Sequence, residues 1–441
     1  MRPKQRLPLF CIVLLLFSCQ KETITLAPNF IGEIEFTTTL GGSKNEVAKS
    51  VVATRDGGYA ILGYVQSNDF DFIEKEDLSF DFVVLKYDSN DSLLWKKILG
   101  GSNDDRGSKL VHTDDGGFVV LGYSKSKDRD VSNNSGDRDF WVAKINEEGT
   151  LLWEQSYGYQ GRDFGTSMIQ TSDDGFLLVG ELDVTASGGE GNSREKIQHA
   201  GGDFWVIKLN SSGKKEWSRY YGGTFTDTPS AVLEASDNSF LIVGASDSKD
   251  VDISNNLGGY DYWIIKIDAL GNLIWERSLG GSEIDRATAI AATEDNNFLI
   301  SGNTRSSDIQ VTNNRGGSDV WVIKLSSEGK LLWEKSIGGS DFDAANTMKP
   351  TQDGNFLIAG STRSSDAAIE NKGQNDAWVV KIDPNGIVLW QTSIGGSEID
   401  VFYDAIELPN RKIVAVGESN SSNNDIFVNR GFSDMLISKL K

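Results

Sequence analysis

Three stretches of the chain repeat nearly the same twenty residues. "DFWVAKINEEGTLLWEQSYG" occupies residues 139–158, "DYWIIKIDALGNLIWERSLG" occupies 261–280 and "DVWVIKLSSEGKLLWEKSIG" occupies 319–338. Repetition at a fixed spacing is typical of one supersecondary unit stacked on copies of itself. We therefore expect a repeat architecture.

Aromatic residues define the period of the repeat. Six tryptophans, 57 to 64 residues apart, share one position, and Phe36 takes this position one repeat earlier. They are Trp95, Trp153, Trp217, Trp275, Trp333 and Trp390. A second column lies twelve residues before the first and contains Val83, Trp141, Trp205, Trp263, Trp321 and Trp378, with Leu436 as its last member. Every copy also has Asp two residues before the second column and Lys three residues after it, so the chain contains seven copies.

Each copy is predicted to form four short strands. In the second copy these are "GSKLVHT", "GFVVLGYS", "DFWVAKIN" and "TLLWEQSYG", which are rich in β-branched and aromatic residues between turn signals. A glycine such as Gly149 closes the hairpin between the third and fourth strands, and Asp91 replaces it in the first copy. Seven four-stranded antiparallel sheets predict an all-β, seven-bladed β-propeller.

The repeat frame is offset by one strand. The last copy ends after its third strand, "DMLISKLK", and the missing fourth strand appears at the other end of the chain as "GEIEFTTTL", residues 32–40. We expect residues 33–40 to pair with Met435 to Leu440, with Phe36 packed between blades. This pairing would close the ring and remove an exposed sheet edge. Residues 32–441 are then a single propeller domain.

The first residues have the layout of a secretory signal. Arg2, Lys4 and Arg6 precede an apolar run at 7–17 that is too short to span a membrane. The following "LLFSC" resembles the bacterial lipobox, and this resemblance implies cleavage after residue 18 and lipidation at Cys19. Residues 19–31 would then form a tether.

The residues after Cys19 bear on the destination. "QKET" resembles the short charged signal that sends some lipoproteins of the Bacteroidota to the cell surface, and Gln20 is not the aspartate that resembles an inner-membrane retention signal. We expect an outer-membrane lipoprotein. Its orientation, toward the cell surface or toward the periplasm, stays open.

The composition excludes some functions. The formal net charge is −21, and removal of Arg2, Lys4 and Arg6 with an acid-free signal makes it −24. Such a surface repels nucleic acid. Cys11 leaves with the signal, so the mature domain has no disulfide and no cysteine metal site.

The repeats, carried by "DGGF…G", "GDRDFWVAKIN" and "GTLLWEQSYG", resemble the seven-bladed β-propeller (SBBP) repeats of bacterial exported proteins. The resemblance covers about residues 32–441. It implies the fold and leaves function open, because propellers host catalysis, binding and scaffolding alike. Some sequences of this type are labelled as endoglucanases, so a glycan-acting envelope enzyme is one alternative and a structural subunit of an envelope complex is another.

The sequence favours a binding or scaffold module over an enzyme. Asp139 and Lys144, which recur in every copy, are expected to cap a turn and to pair with acids near the opposite turn. A glycosidase needs two carboxylates in unequal environments, and the repeated acids mark no single pair. The only histidines, His112 and His199, do not adjoin a distinctive serine.

Two loops resemble calcium-binding loops in spacing. "DRDVSNNSGDRD" begins at residue 128 and "DVDISNNLGGYD" at residue 250. Acids at positions one, three and twelve echo a calcium loop, although asparagine replaces the glycine at position six. A solvated turn without an ion is the alternative. The candidate calcium ligands are Asp128, Asp130, Asp139, Asp250, Asp252 and Asp261.

Two loops differ from their counterparts and are candidates for a protein or glycan partner site. Residues 186–202 of the third copy contain Arg194, Lys196 and His199. The first copy has "NDFDFIEKEDLSF", with Phe70 and Phe72 where other copies are mostly polar. Packing against the adjacent blade is the alternative for these apolar residues. Chain direction places both loops on one face of the propeller.

Overall fold

The computed structural model describes residues 32–192 and 199–441, and in this part of the chain 28 strands form seven antiparallel sheets of four. The first strand is β1 (Ile34–Leu40), which joins the last sheet. The seven-bladed propeller predicted from the repeats is confirmed. The helical elements are one 3₁₀ turn at Phe70–Phe72 and the short helix α1 (Val184–Ser187).

The strands follow the repeat closely. Blade 1 contains β2 (Glu46–Ala53), β3 (Tyr59–Val65), β4 (Asp81–Tyr87) and β5 (Leu93–Leu99). Blade 2 contains β6 (Asp105–His112), β7 (Phe118–Ser124), β8 (Asp139–Ile145) and β9 (Leu151–Tyr157). Blade 3 contains β10 (Phe164–Gln170), β11 (Phe176–Asp183), β12 (Gly202–Leu209) and β13 (Lys215–Tyr221). Blade 4 contains β14 (Asp227–Glu234), β15 (Phe240–Ser246), β16 (Asp261–Ile267) and β17 (Leu273–Leu279).

The remaining blades have the same organisation. Blade 5 contains β18 (Asp285–Ala292), β19 (Phe298–Thr304), β20 (Asp319–Leu325) and β21 (Leu331–Ile337). Blade 6 contains β22 (Asp343–Pro350), β23 (Phe356–Thr362), β24 (Asp376–Ile382) and β25 (Val388–Ile394). Blade 7 contains β26 (Asp400–Glu407), β27 (Ile413–Ser419) and β28 (Asp434–Leu440), and β1 completes it. The first strand of each blade contacts the first strand of the next, and β26 contacts β2, so the ring is closed.

The N-terminal strand closes the ring as the offset frame predicts. β1 pairs antiparallel with β28, from Ile34 opposite Leu440 to Leu40 opposite Met435. Phe36 packs against the hydrophobic cluster between blades 7 and 1. Gly32 takes the place of the hairpin glycine: its φ is +73°, and a Cβ there would lie 2.9 Å from the ring of Trp390. The interrupted hairpin therefore keeps the geometry of the continuous ones.

Aromatic packing joins neighbouring blades. The tryptophans of the second column are buried. Against four of them, an aromatic ring from the third strand of the preceding blade packs: Trp141, Trp205, Trp263 and Trp321. The ring centroids are 4.8 Å apart for Phe82 and Trp141 and 4.9 Å apart for Phe140 and Trp205. At Gly149, φ is +80° and a Cβ would lie 3.2 Å from the ring of Trp95 in blade 1. The glycine is therefore required both by its backbone and by the adjacent blade.

Ion pairs follow the repeat and change at the seam between blades 7 and 1. In blades 1 to 6 the repeated lysine pairs with an aspartate of the turn between the first two strands, as in Lys144–Asp115 at 2.7 Å. Blade 7 has Asn410 in that turn, and Lys439 pairs instead with Asp91 of blade 1 at 2.7 Å. Asp91 stands where other blades have glycine and has a φ of +64°. The aspartate at this departure from the repeat therefore supplies the negative charge of an ion pair between blades 7 and 1.

The two faces of the propeller differ. Short hairpins occupy one face. The loop between the second and third strands lies beside the connection to the next blade on the other face, as shown by the parallel bridges Arg138–Arg162, Ser318–Phe342 and Asn375–Ile399. We call this second surface the long-loop face, and its predicted position is confirmed.

Deleting residues 32–40 is expected to abolish cooperative unfolding and to promote aggregation, because it leaves β28 as a bare edge and removes Phe36 from the core. Phe36→Ala alone should lower the free energy of unfolding by up to about 3 kcal/mol, since the ring is only half-buried. Denaturant unfolding of the full-length variants measures both effects. A sharp, parent-like transition in the deletion variant would contradict ring closure by β1.

Candidate functional site

The channel at the centre of the ring contains the most distinctive group of side chains. Each first strand has a β-bulge at the same place in the repeat, and the bulged residue lines the channel. These residues are Lys49, Ser108, Thr166, Ser230, Thr288, Asn346 and Tyr403. Blades 2 to 6 thus present small polar groups, whereas blades 1 and 7 present a cation and an aromatic ring. The cavity has a volume of about 630 Å³.

An ion pair spans the channel wall beside the seam. The ammonium of Lys349 in blade 6 lies 2.7 Å from Asp404 in blade 7 and donates to the carbonyl of Val51 in blade 1 at 3.1 Å. Asp404 also accepts the backbone N–H of Val51 at 3.0 Å. Burial raises the pKa of Asp404, but the attraction of Lys349 and Lys109 and the hydrogen bonds from Lys349 and Val51 together outweigh it, so this pKa lies below its ordinary value. The pair links three consecutive blades from inside the ring.

Two further lysines face the cavity without such a partner. The ammonium of Lys49 lies 3.4 Å from the centroid of the Tyr403 ring, a cation–π contact. Burial lowers the pKa of Lys49 to about 8. Lys109 lines the same cavity from blade 2. Among the described residues, no carboxylate lies within the 4.0 Å ion-pair distance of either ammonium.

Two columns of buried aspartates organise the long-loop face. The aspartate that begins the third strand caps the preceding loop, as predicted: Asp139 accepts the N–H of Ser135 at 2.6 Å and Asp319 that of Arg315 at 2.7 Å. The acid that begins the first strand of the next blade binds the "GG" connection, as Asp105 does with the N–H of Gly101 at 2.7 Å. At each blade boundary, one acid of the first column lies next to one acid of the second column.

In blades 1 and 3 a side-chain nitrogen takes the place of the backbone donor. Lys75 lies 2.8 Å from Asp81 in blade 1. In blade 3 the Nδ1 atom of His199 lies 2.5 Å from Asp203, and both side chains are buried. Burial lowers the pKa of His199, but the hydrogen bond to Asp203 and the attraction of Asp203, Asp252 and Asp227 together raise it above its ordinary value. These exceptions occur in the two loops whose sequences differ from the repeat.

The structure does not bring the predicted calcium ligands together. Asp128 and Asp130 accept the N–H groups of Ser102 and Gly100 in the connection before their blade. Asp139 instead lies against Gly158 in the connection after it. The second loop has the same division: Asp250 and Asp252 bind Thr224 and Gly222, whereas Asp261 caps Leu257 and lies against Gly280. In residues 32–192 and 199–441, no group of three acidic, histidine or cysteine side chains is arranged to hold a metal.

The predicted partner residues have different positions. Arg194 and Lys196 lie outside the described residues, as does Cys19. Phe72 is only 1% exposed and packs in the cluster between blades 7 and 1, and His199 is buried against Asp203. Both are therefore corrected from surface contacts to packing residues. Phe70 is 62% exposed, as a partner contact requires.

Phe70 is one of several exposed apolar residues in the loops of blades 1 and 7 on the long-loop face. Ile73 is 77% exposed, and Phe427 and Phe432 from blade 7 are 83% and 67% exposed. Arg430 joins the two loops through an ion pair with Asp71 and lies 5.6 Å from the centroid of the Phe70 ring. We call Phe70, Ile73, Phe427 and Phe432 the seam patch. The ion pair that joins its two loops forms only when the ring is closed.

The fold defines the chain as a seven-bladed β-propeller. No protein-family model matches it. The chain is similar to an uncharacterised WD repeat-containing protein of Acanthamoeba polyphaga mimivirus, with 22% identity over 37% of this chain and 14% of that protein. It is also similar to the regulatory protein FlaEY of Caulobacter vibrioides, with 24% identity over 38% of this chain and 19% of that protein. The chain thus spans less than a fifth of the length of either relative.

Solved structures resemble the chain in fold. A fungal alcohol oxidase in complex with copper aligns with a TM-score of 0.50 at 10% identity, covering 93% of this chain and 76% of that one. A Bacteroides caccae protein of unknown function aligns with a TM-score of 0.42 at 12% identity, covering 80% of this chain and 94% of that one. At these identities the likeness concerns the fold alone.

Sequence reasoning missed the cationic channel. Its signal is present in the repeat alignment: the inward positions of the first strand hold small polar or apolar residues in most blades, and Lys49, Lys109, Lys349 and Asp404 break this pattern. The prediction concentrated on the long loops, where differences between copies are larger. Only part of the seam patch was predicted from the sequence, because Phe427 and Phe432 lie in a different copy from Phe70.

Stability is expected to rise as pH falls from about 8 to about 5 and to decline below about 4. Burial raises the pKa of Asp81, Asp163 and Asp227 to about 7. It raises the pKa to about 6 for Asp261, Asp319, Asp376 and Asp434. Between the ordinary pKa of aspartate in the unfolded chain and these raised values, the folded state therefore binds more protons than the unfolded chain. The free energy of unfolding decreases as pH rises through that window. Burial alone would raise the pKa of Asp56 and Asp115, but their lysine partners and the hydrogen bonds from a threonine and a glycine together lower it to about 2. Protonation of these two groups as pH falls from about 4 toward 2 therefore reverses the trend.

Thermal unfolding across this pH range measures the effect. Asp319→Asn keeps a side-chain acceptor for Arg315 and removes one titrating group, so its melting temperature should depend less on pH. A melting temperature that increases steadily from pH 5 to pH 8 would contradict the raised pKa values.

Proposed function

We propose that the chain is a non-catalytic binding or scaffold module that takes a protein partner on the seam patch. The observation that carries this proposal is the exposure of Phe70, Ile73, Phe427 and Phe432 on one face, beside the strand pairing that closes the ring. Exposed apolar clusters on soluble domains are typical of interaction sites. The net charge of −21 favours a partner whose interface has a basic rim.

The acids of the long-loop face support binding over glycan hydrolysis. A glycosidase needs one carboxylate pair that differs from the rest in environment. Asp139, Asp319 and their counterparts repeat around the ring. In five blades they accept backbone N–H groups of their own loops, and in blades 1 and 3 they bind a side chain of their own loop. Their role in every blade is to fix loop geometry, which is what a rigid binding scaffold needs.

We further propose that a lipid on Cys19 anchors this module to the outer membrane. The support is the "LLFSC" stretch with its preceding cations and apolar run. In the part of the chain that the structure describes, no helix has the length and hydrophobicity needed to span a bilayer. Attachment through more than one acyl chain would be stable, since each buried CH₂ contributes about 0.8 kcal/mol.

Phe427→Ser and Ile73→Ser are expected to reduce partner recovery about tenfold or more in pull-downs from solubilised envelopes, because truncating a central apolar anchor commonly costs about 2 kcal/mol of binding free energy. Leu270→Ser is the matched control: Leu270 is 65% exposed on the hairpin face. Partner recovery that drops equally in all three variants, or in none, would contradict the assignment of the seam patch.

Cys19→Ser is expected to move the protein from the membrane fraction to the soluble fraction. Fractionation of cells expressing the variant measures this shift, and protease added to intact cells distinguishes the surface from the periplasmic side. Full retention of the variant in the membrane fraction would rule out anchoring through Cys19 and would leave the seam-patch proposal unaffected.

A further inference from the structure

The central channel concentrates positive charge inside an acidic protein. Lys49, Lys109 and Lys349 line one cavity together with a single carboxylate, Asp404. The chain as a whole has a net charge of −21. Burying ammonium groups is unfavourable unless a counter-charge accompanies them. The local charge balance of the cavity therefore decides which ligand it favours.

Asp404 forms an ion pair with only one of the three lysines, Lys349. Its two oxygens bind Lys349, at 2.7 and 2.8 Å, and also contact Ser50, Val51 and Thr347. Lys109 acts on Asp404 only through longer-range attraction. Asp404 is therefore saturated by partners from blades 1 and 6.

Lys49 has only a distant carboxylate. Glu418 attracts it electrostatically, but the oxygens of Glu418 accept from the hydroxyl of Tyr403 at 2.5 Å and from that of Ser433 at 2.7 Å. The Tyr403 ring covers one side of the ammonium. The described residues thus leave Lys49 and Lys109 with hydrogen-bonding capacity for an anion from outside the chain.

The opposite wall of the cavity is uncharged. Blades 3 to 5 contribute Met168, Ile169, Leu233 and Ile290, interleaved with the hydroxyl groups of the bulged residues. A volume of about 630 Å³ lies within the range of small-molecule sites, about 300 to 1,000 Å³. The cavity therefore has a cationic sector and a neutral, partly apolar sector.

We propose that the channel binds a small organic carboxylate, with the carboxylate held by Lys49 and Lys109 and the body of the molecule against blades 3 to 5. The site is separate from the seam patch, so it adds a ligand to the proposed function without depending on it. Lys349 and Asp404 fix the wall beside the site and are not ligand groups.

Titration calorimetry with the full chain tests the proposal with two pairs of probes. Benzoate is compared with benzamide, and galacturonate with galactose, so that each carboxylate has a neutral partner of the same shape. We expect at least one carboxylate to bind with a Kd of about 1 mM or tighter and about tenfold more tightly than its neutral partner. Preference for benzoate indicates an apolar acid as the ligand, and preference for galacturonate indicates a sugar acid.

Lys49→Gln and Lys109→Gln should each weaken binding of the preferred carboxylate about tenfold, whereas Lys49→Arg should retain it. Lys330→Gln, in an exposed hairpin of blade 5, is the matched control and should bind as the parent does. Cooperative thermal unfolding of each variant checks its fold. The proposal is overturned if neither carboxylate binds at about 10 mM, if the neutral probes bind as tightly, if only inorganic phosphate binds, or if Lys49→Gln and Lys109→Gln both retain parental affinity.

Discussion

The pairing of the first strand with the last is the interaction on which the molecule depends. Six blades are continuous in sequence, but blade 7 exists only when β1 joins β28 across the whole length of the chain. An open ring would expose the apolar faces of blades 1 and 7 and one bare strand edge. Asp91 with Lys439, and Asp404 with Lys349, add charge at the outside and the inside of this junction. These two departures from the repeat therefore lie at or beside the point where the chain itself is interrupted.

Both candidate sites arise from the same property of the ring. A repeated blade supplies rigid, equivalent positions, and function is assigned where one copy departs from the others. In the channel, lysines replace small polar residues at inward positions of the first strands. On the long-loop face, the loops of blades 7 and 1 that Arg430 and Asp71 join carry exposed apolar residues. The buried aspartates, which are present around the ring, instead hold the loops that carry these differences.

The sequence predicted the fold in detail because the repeat reports packing. Gly149 and the tryptophans of the two columns recur because each must fit the adjacent blade. The absence of a fourth strand in the last copy predicted the pairing of Phe36 with the C-terminal strand. The candidate sites were harder to predict from the sequence. Phe72 and Phe70 are two residues apart, yet one is buried and the other exposed, because a single 3₁₀ turn directs them apart. The spacing of Asp128 and Asp139 matched a calcium loop, but the two face opposite sides of one blade.

Amide hydrogen exchange of β1 tests the central claim most directly. β5 is the internal reference, because it occupies the same outer position in blade 1 and is joined to its neighbour by a continuous hairpin. If the ring closes as described, the hydrogen-bonded amides of Ile34–Leu40 exchange as slowly as those of Leu93–Leu99, within about tenfold, since both open only with their blades. Exchange of β1 at rates typical of an unstructured segment, with β5 still protected, would show that the N-terminal strand does not close the ring.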